Sequence, residues 1–206
     1  SSSSAASDVY KRQGVDPDGA KRERGLRTWN LQEGRPTILV TGGSQGAVSI
    51  NAALADAVER LTGAGFQILH AYGRKNDAPV AHDHYTAVPY IDDMEAAYAV
   101  ADVVVCRSGA MTVAENSAAG IPAIYIPLPH GNGEQGLNSA HLVDAGAALR
   151  IDDAALSGDV LVDKLLPLVA PEARATMRAA LKDSGAGSVA EDLAARIAAA
   201  AGKDTK

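Results

Sequence analysis

The sequence predicts an α/β fold, a parallel sheet with helices on both faces, and three observations lead there. From residue 37 onward, short β-branched runs alternate with stretches of helical period, an order that right-handed crossovers convert into parallel strands. The first run, TILVT, feeds directly into the glycine-rich turn GGSQGA and then into a helix. Finally, 47% of the residues are hydrophobic but only 4% are aromatic, so the core must be built from Ala, Val, Ile and Leu, which suits strands buried on both faces.

The elements follow in order. Residues 37–41 form the first strand, and Ala52, Leu54, Ala55, Val58 and Leu61 mark the apolar face of the helix after the turn. Further strands are expected at 66–71 and 85–88. Residues 93–101 read as a short helix with Asp93 as N-cap, because a carboxylate there can accept from an N–H of the first turn. DVVVC at 102–106 has the pattern of a central strand. It precedes a helix over 112–119 closed by Gly120, a strand at 123–126 and a helix over 135–145 ending at Gly146. From 156 to 201 the chain is rich in Ala and Leu. Charges recur there at helical spacing, including Asp163, Lys164, Glu172, Arg174, Arg178 and Lys182, which predicts two or three covering helices.

The 206 residues have room for one domain with irregular flanks. Residues 1–13 join a serine run to DVYKRQ, which resembles one reading frame of a transposase adapter used in DNA library preparation. They are read as an artefactual or disordered tail. Residues 14–36 mix Gly, Pro, Asp, Lys and Arg and read as an interdomain linker with one short helix, leaving 37–202 for the sheet domain. The formal net charge is −6, and the basic cluster KRERGLR at 21–27 is interrupted by Glu23. Nucleic acid is therefore not an expected partner. The single cysteine, Cys106, cannot form an internal disulfide and reads as a small buried hydrophobe suited to a reducing cytoplasm. No apolar run approaches the roughly 20 residues that span a bilayer.

Three segments carry chemistry. Between a strand and a helix, the glycines of TGGSQGA let backbone N–H groups approach a phosphate while the helix N-terminus adds partial positive charge; a tight turn alone also needs glycine. In RSGAMTVAE, residues 107–115, Glu115 falls early in a helix beyond a strand's carboxyl end, where a carboxylate can accept two hydrogen bonds from a ribose diol. In PLPHGNGEQGLN, residues 127–138, Glu134, Gln135 and Asn138 span one helical turn and can read sugar hydroxyls. TGGSQGAV also partly fits the TGxxxGxG opening of short-chain dehydrogenases. Against that, the second strand, QILHAY, ends without an acid for an adenosine ribose, and no tyrosine has a lysine four positions later.

Taken in order, GGSQGA, YIDDMEAAYAVADVVVCRSGAMTVAE and HGNGEQGLN resemble the carboxy-terminal domain of MurG-type glycosyltransferases over residues 35–148, and more weakly through the final helices. The resemblance implies the C-terminal half of a GT-B glycosyltransferase, in which two Rossmann-like domains face across a cleft. This half binds UDP-N-acetylglucosamine (UDP-GlcNAc), and an amino-terminal half, absent here, binds the lipid-linked acceptor. It further implies that Ser44 and Gln45, with the backbone of Gly43 and Gly46, face the diphosphate, that Ile91 offers its main chain to uracil, and that Arg107 lies beside the nucleotide. Glu115 then accepts the ribose diol, while Glu134, Gln135 and Asn138 hold the acetamido sugar. Many members carry glutamine where Glu134 stands, so that contact is altered or passes to Gln135. His130 fits the pattern without a defined role.

The reaction this implies is inverting transfer of N-acetylglucosamine from UDP-GlcNAc to undecaprenyl-pyrophosphoryl-MurNAc-pentapeptide, lipid I to lipid II, in peptidoglycan synthesis. Backbone amides and a helix dipole meet the charge of the departing diphosphate, so no metal or other cofactor is expected, and His82-Asp83-His84 reads as a solvated loop. The general base belongs to the missing half, so this chain alone is expected to bind nucleotide weakly and turn over essentially nothing. That half is also expected to attach the whole enzyme peripherally to the cytoplasmic membrane face, with this piece soluble by itself. Two other readings stay open: a GT-B transferase that shares the UDP site but has another acceptor, and a free-standing nucleotide-binding module.

Overall fold

A computed structural model describes residues 19–43, 46–129 and 133–201; the tail 1–13, residues 14–18, Ser44, Gln45 and His130 lie outside them. Six strands, β1 (Thr37–Thr41), β2 (Gln67–Ala71), β3 (Tyr85–Val88), β4 (Val103–Cys106), β5 (Ala123–Tyr125) and β6 (Ala148–Arg150), form one sheet in the order β3-β2-β1-β4-β5-β6. Every adjacent pair is parallel. This is the doubly wound order whose connections reverse direction between β1 and β4. The helices are α1 (Ala20–Thr28), α2 (Val48–Gly63), α3 (Met94–Val100), α4 (Ala110–Ala118), α5 (Glu134–Asp144), α6 (Gly158–Leu165), α7 (Pro171–Asp183) and α8 (Ala186–Ala201). The expected α/β parallel sheet is thus borne out.

Strand periodicity divides the core into two layers. Ile38, Val40, Ile68, Val103, Val105 and Ile124 point to one face, against Ile50, Leu54 and Leu61 of α2 and Leu161 and Leu165 of α6. Leu39, Leu69, Val104, Cys106, Ala123 and Tyr125 point to the other, against Trp29, Ala96, Val100, Val113, Leu142 and Leu181. Each fully buried Val, Leu or Ile contributes about 1.5–3 kcal/mol. An exposed ion pair contributes about 0–1 kcal/mol, so these two layers carry the fold.

Several boundaries and phases differ from the sequence reading. On α2 the buried stripe is Ile50, Ala53, Leu54, Ala57, Val58 and Leu61, whereas Ala52 and Ala55 face solvent. Alanine fits either side of a helix and so gives a weak phase signal. Strand β6 was not expected; its three residues follow Gly146 too closely to display a period of two. Arg174, one of the charges at helical spacing, is 7% exposed, and its Nη1 donates to the carbonyls of Leu168 (2.7 Å) and Val169 (2.8 Å) at the 3₁₀ turn before α7. Cys106 is buried as expected, and burial pushes its thiol up to about 12.

The segment read as a linker, 14–36, does carry a short helix, and its described part packs closely on the sheet. Trp29 is 8% exposed in the core. The Gln67 side chain accepts from the N–H of Gln32 and donates to its carbonyl, both at 2.8 Å, and Arg35 donates to the carbonyls of Thr62 and Phe66. Among the described residues no helix is long and apolar enough to cross a membrane.

Asp102, just before β4, is 3% exposed; it accepts from the Thr37 N–H at 2.9 Å and pairs with Arg178 at 3.5 Å. Removing one member of such a buried set leaves the others desolvated and unpaired. Asp102→Ala is expected to lower the unfolding free energy by about 3 kcal/mol in urea titration; a loss under about 1 kcal/mol would show that water replaces the carboxylate.

Candidate functional site

The strand register builds the site. Val88, Ala71, Thr41, Cys106, Tyr125 and Arg150 form one paired row across the sheet. Consequently Pro89, Tyr72, Gly42, Arg107 and Ile126 all leave the sheet on its carboxyl side at the same level. Ligands of open α/β sheets bind on that side, at the switch point where β1 and β4 adjoin.

The glycine turn emerges there. Gly43 and Gly46 have φ of 86° and 73°, and the Gly46 N–H donates to the Gly43 carbonyl at 3.0 Å. Gly46 presses against the Tyr72 carbonyl, which a Cβ would overlap, whereas a Cβ on Gly43 would meet open space. That carbonyl accepts from Asn51 (2.9 Å) and Asn76 (2.8 Å), so α2 and the loop after β2 are both tied to the turn. Asn51 Oδ1 then faces Nε2 of His70 at 2.9 Å, and Nδ1 of His70 lies 2.6 Å from the Tyr85 hydroxyl. Because Asn51 donates elsewhere, its oxygen requires Nε2–H as donor, leaving Nδ1 to accept from Tyr85. His70 is 1% exposed, and burial pushes it down to about 4, so it is a neutral bridge at neutral pH.

Arg107, at the end of β4, reaches back toward this turn. Its Nη1 donates to Asp153 Oδ1 at 2.6 Å and to the Ile126 carbonyl at 3.3 Å, and its Nη2 donates to Ser49 Oγ at 3.0 Å. Ser49 donates to Asp153 at 2.7 Å. The guanidinium therefore joins the first turn of α2 to the segment after β6, and its charge is already matched by Asp153.

A second group lies around α5. Ser108 Oγ donates to the Gln135 carbonyl at 2.7 Å, and Asn138 Nδ2 donates to the Ser108 carbonyl at 3.0 Å. Gln135 Oε1 accepts from the Leu128 N–H at 2.8 Å, closing the loop after β5 onto α5. Glu134 is exposed in the first turn. The third group joins α3 and α4. Ile91 is 3% exposed, Asp93 caps α3 by accepting from the Ala96 N–H, and Tyr98 donates to Glu115 Oε2 at 2.8 Å. Glu115 itself sits midway along α4 and is exposed.

The structure therefore places Gly43, Gly46 and Arg107 beyond the paired carboxyl ends of β1 and β4, Gln135 and Asn138 against Ser108, Ile91 just before α3, Glu115 on the exposed flank of α4 and Glu134 in the first turn of α5, whereas Ser44, Gln45 and His130 fall outside the described residues. It does not gather the polar ends of Gln135 and Asn138 at one point, since one turns to Leu128 and the other to Ser108. Sequence reasoning missed Ser49, Tyr98, Ser108 and Asp153. Tyr98 and Ser108 lie inside the long motif, but Asp153 has no local signal and arrives only through β6.

Residues 37–197 match the glycosyltransferase family 28 C-terminal domain. The chain belongs to this family. It is 54% identical over 186 residues to a curated transferase of Corynebacterium efficiens named for UDP-N-acetylglucosamine and N-acetylmuramyl-(pentapeptide) pyrophosphoryl-undecaprenol, covering 90% of this chain and 52% of the relative. The same name belongs to a Mycolicibacterium smegmatis relative, 50% identical over 172 residues, 81% of this chain and 45% of that one. Among solved structures, Acinetobacter baumannii MurG superposes with a TM-score of 0.64 at 30% identity, over 84% of this chain and 52% of that one. The family 28 chain thus spans about half the length of the curated relatives it matches.

Gly43→Ala meets only the cost of a left-handed backbone, about 1–2 kcal/mol, while Gly46→Ala adds overlap with a carbonyl held by two amides. Thermal melting should place Gly46→Ala clearly below Gly43→Ala; equal values would mean that the turn relaxes freely. For His70, the folded value near 4 lies below the ordinary 6.5. As pH falls through that window the unfolded chain takes up the proton first, so the full contribution above pH 6.5 is progressively lost toward pH 4, to the extent of about 3 kcal/mol. His70→Gln should flatten this part of the stability profile; a profile as steep as that of the parent chain would assign the slope to other groups.

Proposed function

We propose that this chain carries the donor site of a transferase that moves N-acetylglucosamine from UDP-GlcNAc to undecaprenyl-pyrophosphoryl-MurNAc-pentapeptide in peptidoglycan synthesis. The observation that carries this reading is the single row of strand ends from which the glycine turn, Arg107 and the loop toward α5 emerge at one level. It occurs in a chain 54% identical to a transferase of that name. In this reading the amides around Gly43 and Gly46, with Ser44 and Gln45, take the diphosphate, and the N-terminus of α2 opposes the charge that builds up as UDP leaves. Arg107 holds that helix start in place through Ser49 and Asp153.

Among the described residues neither the N–H nor the carbonyl of Ile91 has a hydrogen-bond partner, which suits a main chain that pairs with uracil. Glu115, on an exposed flank, takes the ribose diol, while Glu134, Gln135 and Asn138 take the acetamido sugar. Acceptor binding, the general base and peripheral attachment to the cytoplasmic membrane face are assigned to the further half found in the longer relatives.

Calorimetric titration of the folded chain with UDP-GlcNAc, with NADPH as control, tests the site. Saturable binding is expected, and Glu115→Ala should weaken it by about 1.5–3 kcal/mol, as for hydrogen bonds to a charged acceptor. Binding of NADPH but not of UDP-GlcNAc would overturn the transferase reading in favour of a dehydrogenase.

A further inference from the structure

We propose that Tyr98 is the positioning residue for nucleotide ribose, its hydroxyl fixing the Glu115 carboxylate in the orientation that receives the sugar diol. This rests on the reading of Glu115 as the diol acceptor. Glu115 stands on the exposed flank of α4, where a side chain with three torsions has no packing to select a rotamer. Among the described residues the Tyr98 hydroxyl, 2.8 Å from Oε2, is the hydrogen-bond partner of that carboxylate. Tyr98 is itself anchored, because its ring packs half-buried against the core layer that contains Ala97, Cys106 and Tyr125.

The direction of the bond follows from chemistry. An ionised carboxylate only accepts, so the phenol donates, and burial together with the adjacent carboxylate keeps the phenol protonated well beyond its ordinary range. One donated bond occupies one of the roughly four lone-pair positions of the carboxylate, leaving Oε1 whole and one side of Oε2 for a pair of vicinal hydroxyls. Tyr98 also lies on α3, the short helix capped by Asp93 that begins just after Ile91. The proposed uracil contact and the proposed ribose contact are thereby referred to one rigid element, so the spacing between base and ribose sites is set by α3. A phenylalanine would pack in the same place but leave Glu115 free to rotate.

The test compares binding of UDP and of 2′,3′-dideoxy-UDP to the parent chain, Tyr98→Phe, Glu115→Ala and the double variant, each checked for folding by thermal melting. Tyr98→Phe should weaken UDP about 3- to 10-fold, less than the loss of a direct hydrogen bond to a charged group because Tyr98 orients Glu115 without touching the ligand, and change dideoxy-UDP by less than about 2-fold. In the Glu115→Ala background the tyrosine substitution should then do nothing further. Equal loss for both nucleotides, loss that persists without Glu115, or no loss at all would each overturn the positioning role. If Glu115→Ala leaves the preference for UDP over dideoxy-UDP intact, the fault lies instead with the reading of Glu115 as diol acceptor.

Discussion

The site depends on β1 being paired in parallel along both edges. Thr41 is opposite Ala71 on one side and Cys106 on the other, and the same row continues to Val88 and Tyr125. A slip of one residue in any of these pairings would turn every core side chain of that strand to the wrong layer, so burial on both faces locks the register. The locked register in turn releases the glycine turn, Arg107 and the loop toward α5 at one level. No loop has to find its neighbour by chance: hydrophobic sorting of Ile38, Leu39 and Val40 between two layers already decides that Gly42 and Arg107 adjoin.

Most polar side chains near this edge are occupied in holding the scaffold, and that decides which of their atoms remain for a ligand. Gln135 commits its oxygen to the Leu128 N–H, so its amide nitrogen is left to donate; Asn138 commits its nitrogen to the Ser108 carbonyl, so its oxygen is left to accept. The acetamido group proposed for this place offers one acceptor and one donor, which such a complementary pair would suit better than two identical free amides. Arg107 is spent in the same sense. Its charge is matched by Asp153, so under the proposed diphosphate role it would act through the fixed orientation of α2 more than through a free guanidinium.

Architecture was more legible in the sequence than the wiring of the site. The β-branched runs and the glycine turn announce a parallel sheet because those residue types answer to backbone geometry, which is local. Asp93 as N-cap was legible for the same reason, since the cap and the N–H it satisfies are three residues apart. Strand β6 was not, because three residues cannot display a period, and with β6 went Asp153 and the partner of Arg107. Arg174 and Arg178 misled in the opposite direction. Their spacing fits a solvated helix face, yet one caps the 3₁₀ turn just before its own helix and the other neutralises Asp102, 76 residues away, which only tertiary packing brings near. Tyr98 was in plain view inside a recognised motif, but its bond to Glu115 joins two helices and leaves no trace in spacing.

Composition also understates the segment before β1, which is rich in charge and glycine and looks like a tether. Its attachment does not come from its ion pairs: Arg24 meets Asp93 at 2.6 Å, but both remain partly exposed to water, and such surface pairs contribute about 0–1 kcal/mol. It comes from Trp29 entering the core and from Gly25, where a Cβ would stand 2.6 Å from Val100 Cγ1 and 2.8 Å from the Ala96 carbonyl, so that α1 and α3 touch backbone to backbone. The ion pair serves a different end. Asp93 is the cap of α3, and the hydrogen bond from Arg24 holds its carboxyl below the usual carboxylate range, which keeps the cap charged and α3 wound from its first turn. Since α3 begins beside Ile91 and bears Tyr98, the helix that reads as linker is part of what fixes the edge of the sheet proposed for the nucleotide.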